Sequence, residues 1–153
     1  MAAQTLKDKV VLITGGAKNL GGLISRKFAE QGAKLAIHYN SESSKADAEK
    51  TLAEVKALGI DAILLQADLS SIDRIEELFV KTKQHFGGID IAINTVGRVL
   101  KKPIVDTTEA EFDSMSDINS KIAYFFIQSA GRHLNDDGKI CTIVTSLLAA
   151  YTG

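Results

Sequence analysis

Short apolar runs alternate along this chain with longer stretches of helical spacing. Val10-Val11-Leu12-Ile13 is too short and too branched for a helix, and Gly15 and Gly16 follow it. From Leu20 on, Leu23, Ile24 and Phe28 recur at helical spacing, and Gly32 stands where a helix C-cap would. Lys34 to His38 predicts a second strand, and Tyr39-Asn40-Ser41 the loop leaving it. Ser41, Ser43 and Ser44 offer N-caps for a helix with Ala48, Leu52 and Val55 on one face, ending at Gly59. Ala62 to Gln66 predicts a third strand. Ser70 with Asp73 reads as a capping box for a helix that buries Ile75, Leu78, Phe79 and Phe86 and stops at Gly87-Gly88. Ile89 to Ile93 predicts a fourth strand. Beyond an irregular stretch from Asn94 to Asp106, helices are expected from Thr108 to Met115 and from Asp117 to Leu134. The second buries Ile118, Ile122, Phe125, Phe126 and Ala130. The turn Asn135-Asp136-Asp137-Gly138 then leads into a fifth strand, Ile140 to Thr145.

Each strand is a continuous apolar run without polar alternation, which is how strands covered on both faces by helices read. Alternating strands and helices therefore predict an α/β fold with a doubly wound parallel sheet. Right-handed crossovers give the strand order 3-2-1-4-5. The switch point then falls between strands 1 and 4, at the mouth of the glycine turn, where ligands of such sheets bind.

Composition narrows the partners more than the fold. The 153 residues fit one domain, with 45% hydrophobic and 24% charged residues. A formal net charge of −1 gives no basic footprint for a nucleic-acid backbone. No basic-then-apolar leader and no apolar run of membrane-spanning length is present, so no membrane partner is expected. The lone Cys141 allows no disulfide framework, which suits a cytoplasmic protein, and its apolar neighbours predict a buried thiol.

The chemistry concentrates at the glycine turn. A strand, a glycine turn and a helix start aim free backbone N–H groups at a phosphate. The strict G-x-G-x-x-G spacing is absent, since Gly15 and Gly21 lie six residues apart; the pattern is T-G-x-x-x-N-x-G. Asn19 takes a place where glycine is common, and Asn tolerates the left-handed conformation. The turn lacks the Gly-Lys-Ser/Thr of a P-loop nucleotidase. A methyltransferase would normally carry an acid at the end of strand 2, and His38-Tyr39-Asn40-Ser41 has none.

Thr14-Gly15-(Gly16-Ala17-Lys18)-Asn19-Leu20-Gly21, Asp68-Leu69, Asn94-Thr95-Val96-Gly97, Asn119 and Ser146 follow in order at the strand ends. From about Lys7 onward this set closely resembles the short-chain dehydrogenase/reductase family. Within it, the chain is most similar to NADP-dependent 3-oxoacyl-carrier-protein reductases and related carbonyl reductases. The resemblance implies a Rossmann-type fold and a single NADP-binding domain over residues 1–153. Gly15, Lys18, Asn19, Leu20 and Gly21 would hold the pyrophosphate. Asp68 would accept from the adenine amino group, with Leu69 beside it. Asn94 would steady the sheet centre, and Gly97 would let the nicotinamide ribose approach. Thr95 replaces the second Asn of the family's Asn-Asn-Ala-Gly segment. Ser146 would hydrogen-bond the carbonyl of a small-molecule substrate, with Thr145 second to it, and Asn119 would support a water-linked proton relay.

Charge selects the cofactor. An acid about 20 residues past the turn takes the ribose 2′-hydroxyl of NAD and would repel a 2′-phosphate; none occurs before Glu42. Lys18 matches the basic position of NADP-preferring members of the resembled family and would receive the 2′-phosphate, with His38 a weak second when protonated; Asn40 is a further cofactor-binding candidate. NADP is the expected cofactor.

The family's proton donor is a tyrosine followed four residues later by a lysine. After Ser146 only Leu147 to Gly153 remain, with Tyr151 five residues on and no lysine. Strand 5 would also form an apolar edge that the family covers with further strands. The expectation is the N-terminal part of a longer, homo-oligomeric NADPH-dependent reductase of a ketone or 3-oxoacyl carbonyl. The alternative is a dinucleotide-binding or regulatory module without catalysis.

Overall fold

A computed structural model describes residues 5–144. Five parallel strands form one sheet: β1 (Val10–Thr14), β2 (Lys34–Tyr39), β3 (Ala62–Gln66), β4 (Ile91–Asn94) and β5 (Lys139–Thr142), in the order β3-β2-β1-β4-β5. The helices are α1 (Asn19–Glu30), α2 (Lys45–Ala57), α3 (Ile72–Phe86), α4 (Glu109–Ser116) and α5 (Ile122–His133). The doubly wound order read from the sequence is the observed one. In β1 every residue is buried, and its Ile13 and Thr14 sit opposite Ile37 and Asn94 respectively.

Strand pleating divides the core in two. Val11, Ile13, Leu35, Ile37 and Ile93 pack with Ala29 of α1 and Val55 of α2 on one face. Their neighbours Leu12, Ala36 and Ala92 point the other way, onto Ile75, Leu78 and Phe79 of α3 and Ile122 and Phe126 of α5. Phe79 and Phe126 meet at a ring-centroid distance of 5.2 Å. The central runs β1 and β2 are therefore apolar because both of their faces are covered.

Several local expectations change. The long helix expected from Asp117 begins as a π-helical turn, Asp117–Lys121, which joins α4 to α5 without a break in chain direction. The Ser70–Asp73 capping box does not form: α3 starts at Ile72, and Asp68 accepts the Ser70 N–H at 3.0 Å instead. This short Asx bond competes successfully with a cap three residues away. Leu23, expected on the inner face of α1, is exposed, because Gly21, Gly22, Ser25 and Ala29 fill that face. Cys141 is exposed rather than buried, since β5 is the edge strand of the described sheet. Ile140 and Val144 beside it are exposed as well.

Candidate functional site

Two cavities open beside the glycine turn, at the C-terminal ends of β1 and β4. Gly15 has φ +69°, and Asn19 has φ +51°, the left-handed conformation that Asn tolerates. Gly21 brings α1 so close to the turn that a Cβ there would lie 2.0 Å from the Gly15 carbonyl oxygen. Three hydroxyls draw the carbonyls of the turn inward. Ser25 donates to the Gly16 and Gly21 oxygens at 2.9 and 3.0 Å, Thr51 of α2 donates to Ala17 at 2.7 Å, and Thr95 donates to Thr14 at 2.8 Å. With the carbonyls so engaged, the N–H groups of Asn19, Leu20 and Gly21 find no acceptor among the described residues. The first turn of α1 carries no acidic residue. An exposed helix N-terminus of this kind attracts an anion.

The first cavity, about 290 Å³, is bounded by Gly15, Lys18, His38, Asn40, Asp68, Leu69, Val96 and Ile122, among others. The Nζ of Lys18 lies 3.5 Å from the carboxylate of Asp47 on α2, with both side chains about half exposed. A pair this open to water contributes little, so the lysine is readily released to another anion. Asn40 sits at the cavity rim, with its carbonyl accepting from Gln66 at 2.7 Å. Leu69 is buried beneath the cavity. The N–H of Ser70 holds the Asp68 carboxyl below its ordinary pKa.

His38 departs from its expected role. It is buried; its Nδ1 accepts the Gly15 N–H at 3.0 Å, and its Nε2 lies 2.9 Å from the Ala67 carbonyl. An N–H only donates and a carbonyl only accepts, so the ring must be neutral with its proton on Nε2. Burial holds its pKa below the usual 6.5. It supplies no positive charge for a phosphate.

Val96 also bounds the second cavity, about 770 Å³, which Asn94, Gly97, Arg98, Met115, Asn119 and Ile143 line with other residues. The Thr14 hydroxyl donates to the Asn94 amide oxygen at 2.7 Å, and the Val96 N–H donates to the same oxygen at 3.1 Å. The buried Asn94 thereby ties β1, β4 and the segment leaving β4 together at the sheet centre. Asn119, on the π-helical turn, grips that segment: its amide oxygen accepts the Arg98 N–H and its Nδ2 donates to the Arg98 carbonyl, both at 2.9 Å. A Cβ at Gly97 would meet the Asn119 amide oxygen at 3.1 Å. The geometry brings Gly15, Lys18, Asn40, Asp68 and Leu69 to one cavity and Asn94, Gly97 and Asn119 to the other, while Asn19, Leu20 and Gly21 line neither. Ser146, with Thr145 and Tyr151, lies outside the described residues.

Three contributors were not legible in the sequence. Thr51 looks like one more position on an amphipathic helix, Asp47 like a solvated acid, and His38 like a spare cation. The β-branched hydroxyl of Thr51 on the inner face of α2 was the one available hint.

The family model described as enoyl-(acyl carrier protein) reductase matches residues 15–152. A short chain dehydrogenase of Claviceps purpurea is 37% identical over 135 residues, 88% of this chain and 50% of its own length. The chain belongs to the short-chain dehydrogenase/reductase family. A dehydrogenase of this fold from Burkholderia cenocepacia, crystallised with bound NADP, superposes with a TM-score of 0.93 at 61% identity, over 99% of this chain and 58% of its own. A second short chain dehydrogenase from Burkholderia cenocepacia J2315, in complex with NADP, has a TM-score of 0.90 at 30% identity over 97% of this chain and 60% of its own. This short-chain dehydrogenase/reductase chain spans about half the length of the curated relatives it matches. Among the described residues no helix is long and apolar enough to cross a membrane.

Proposed function

We propose that this chain binds NADP(H) and forms the cofactor-binding part of a reductase that converts a ketone or 3-oxoacyl carbonyl into an alcohol. The observation that carries the reading is the cradle: a cavity lined by Gly15, Ala17, Lys18 and Asn40 adjoins the start of α1, whose first N–H groups have no acceptor among the described residues, with no acid at the end of β2. Two relatives of the same fold that hold NADP support it.

In this reading the N–H groups of Asn19, Leu20 and Gly21 bind the pyrophosphate, which the fixed Gly15 turn allows to come close. Lys18 leaves Asp47 for the 2′-phosphate, and Asn40 donates beside it. Asp68, held ionised, accepts from the adenine amino group, and Leu69 bounds the base. Asn94 fixes the sheet centre, Gly97 leaves room for the nicotinamide ribose, and Asn119 keeps the Arg98 segment in place below it. Bound NADPH supplies a hydride to the substrate carbonyl carbon. Ser146 hydrogen-bonds the carbonyl oxygen. The chain acts as one domain of a cytoplasmic homo-oligomer.

Titration of the purified chain with NADPH and NADH, followed by nicotinamide fluorescence, tests the cofactor choice. A charge-assisted bond from Lys18 implies an NADPH preference of roughly 10- to 100-fold. Lys18→Glu should abolish the preference by weakening NADPH and leaving NADH nearly unchanged. Equal affinities in the unsubstituted chain would refute the choice of NADP.

A further inference from the structure

The ring of His38 makes a hydrogen bond to the glycine turn and another to the segment leaving β3. It stands at the end of β2, between the two strands whose C-terminal ends carry Gly15 and Asp68. Its Nδ1 takes the Gly15 N–H, and its Nε2–H goes to Ala67, the residue before Asp68. Gly15 is also the residue whose φ of +69° turns the chain toward α1. Without an acceptor its half-buried N–H would lose its protein partner and the turn would be freer to change orientation. We infer that His38 is the positioning residue of the cofactor cradle: its neutral imidazole locks the Gly15 peptide, so that the N–H groups at the start of α1 and the Asp68 carboxylate are held at a fixed separation along one dinucleotide. This rests on the reading of the cavity as an NADP(H) site.

The ring can do this only while neutral. Gaining a proton puts an N–H on Nδ1 against the Gly15 N–H, donor against donor, and the lock opens. Burial moves that event to the acid side of the usual 6.5. The titratable groups that share the cavity are Lys18 from the turn, Tyr39 beside the ring, Asp68 after β3 and Asp117 from the π-helical turn. Apart from the titration of the cofactor's own phosphate, dinucleotide affinity should therefore fall at acid pH by a one-proton step that depends on His38.

The test uses the full chain with His38→Leu, which removes both hydrogen bonds, and His38→Asn, whose amide oxygen retains an acceptor for Gly15. NADPH affinity is measured between pH 5 and pH 8, and each variant is divided by the unsubstituted chain at the same pH so that the cofactor's own phosphate titration cancels. His38→Leu should weaken NADPH by roughly 10-fold at neutral pH, and His38→Asn by roughly 3-fold or less. Both variants should lack the acid step. Nitrogen-15 spectra of the unsubstituted chain should show an unprotonated Nδ1 with a scalar coupling to the Gly15 amide nitrogen. These spectra decide the geometry even where His38→Leu fails to fold. A proton on Nδ1 at neutral pH would overturn the inference, as would two folded variants that bind NADPH with the unsubstituted chain's affinity and pH profile. If the unsubstituted chain binds neither NADPH nor NADH, the cofactor reading itself falls and the inference with it.

Discussion

Replacing Gly21 by Ala adds one methyl group where α1 meets the glycine turn at its closest. The new Cβ would lie 2.0 Å from the Gly15 carbonyl oxygen, 2.7 Å from its carbonyl carbon and 2.9 Å from the Thr95 hydroxyl. Two of these atoms are backbone, so no side chain can swing away to make room. At least about 1 Å of separation has to come from moving α1 or the turn, and overpacking of this kind costs about 3 kcal/mol. The better helix propensity of Ala returns at most about 1 kcal/mol. Gly131, in an exposed position of α5, is the matching control, because its added Cβ would meet nothing within 4 Å. There Gly→Ala should stabilise by about 0.5–1 kcal/mol. For a chain of this size the melting temperature moves roughly 2–4 °C per kcal/mol, so Gly21→Ala should lose about 4–12 °C while Gly131→Ala gains about 1–4 °C. Thermal melting by circular dichroism reads both, and NADPH titration should show roughly 10-fold or weaker binding for Gly21→Ala alone. The reasoning is refuted if the two substitutions shift the melting temperature in the same direction, or if Gly21→Ala melts and binds like the unsubstituted chain.

Thr51→Val keeps the shape of the side chain and removes the 2.7 Å bond to the Ala17 carbonyl. It should cost about 1–3 kcal/mol in urea unfolding and weaken NADPH measurably, whereas Thr107→Val, which removes a solvent-exposed bond to the Pro103 carbonyl, should cost little. Asp90 carries the pH dependence of the sheet's lower end. Burial raises its pKa, but the Val10 N–H, Lys9 and Asn135 more than offset this and hold it below its usual 3.8. A carboxyl whose folded pKa is depressed contributes stability that is full above its unfolded value and is lost as pH falls through the folded one. Urea unfolding between pH 6 and pH 2 should therefore show a decline below about pH 4, and Asp90→Asn should flatten it. A slope unchanged by the substitution would remove Asp90 from the account.

The glycine turn was legible because its residues have few other uses. Gly15, Asn19 and Gly21 each answer to a backbone demand, a positive φ or a close approach, that other residues meet poorly. The strand order was legible for the same kind of reason: uninterrupted apolar runs require cover on both faces, and right-handed crossovers then leave few arrangements. The long-range hydrogen bonds were not legible. The partner of Thr51 lies 34 residues away and that of Asn119 lies 21 away, and nothing local in the sequence points to either. His38 misled because a basic residue near a phosphate site invites a reading by charge, whereas burial selects its neutral form. Cys141 misled because its apolar neighbours signal a covered strand wherever that strand lies in the sheet.

The cradle also bears on how the chain acquires binding competence. Its parts come from distant segments, with Thr95 reaching Thr14 across 81 residues and β1 pairing in parallel with β4 over a similar span. Parallel pairings of such high contact order form late, after the local β1–α1–β2 unit has had time to assemble. A dinucleotide therefore meets no finished cradle on a chain that has emerged only as far as β3. Cofactor capture on a ribosome-bound nascent chain should begin only once β4 and the residue after Asn94 have docked.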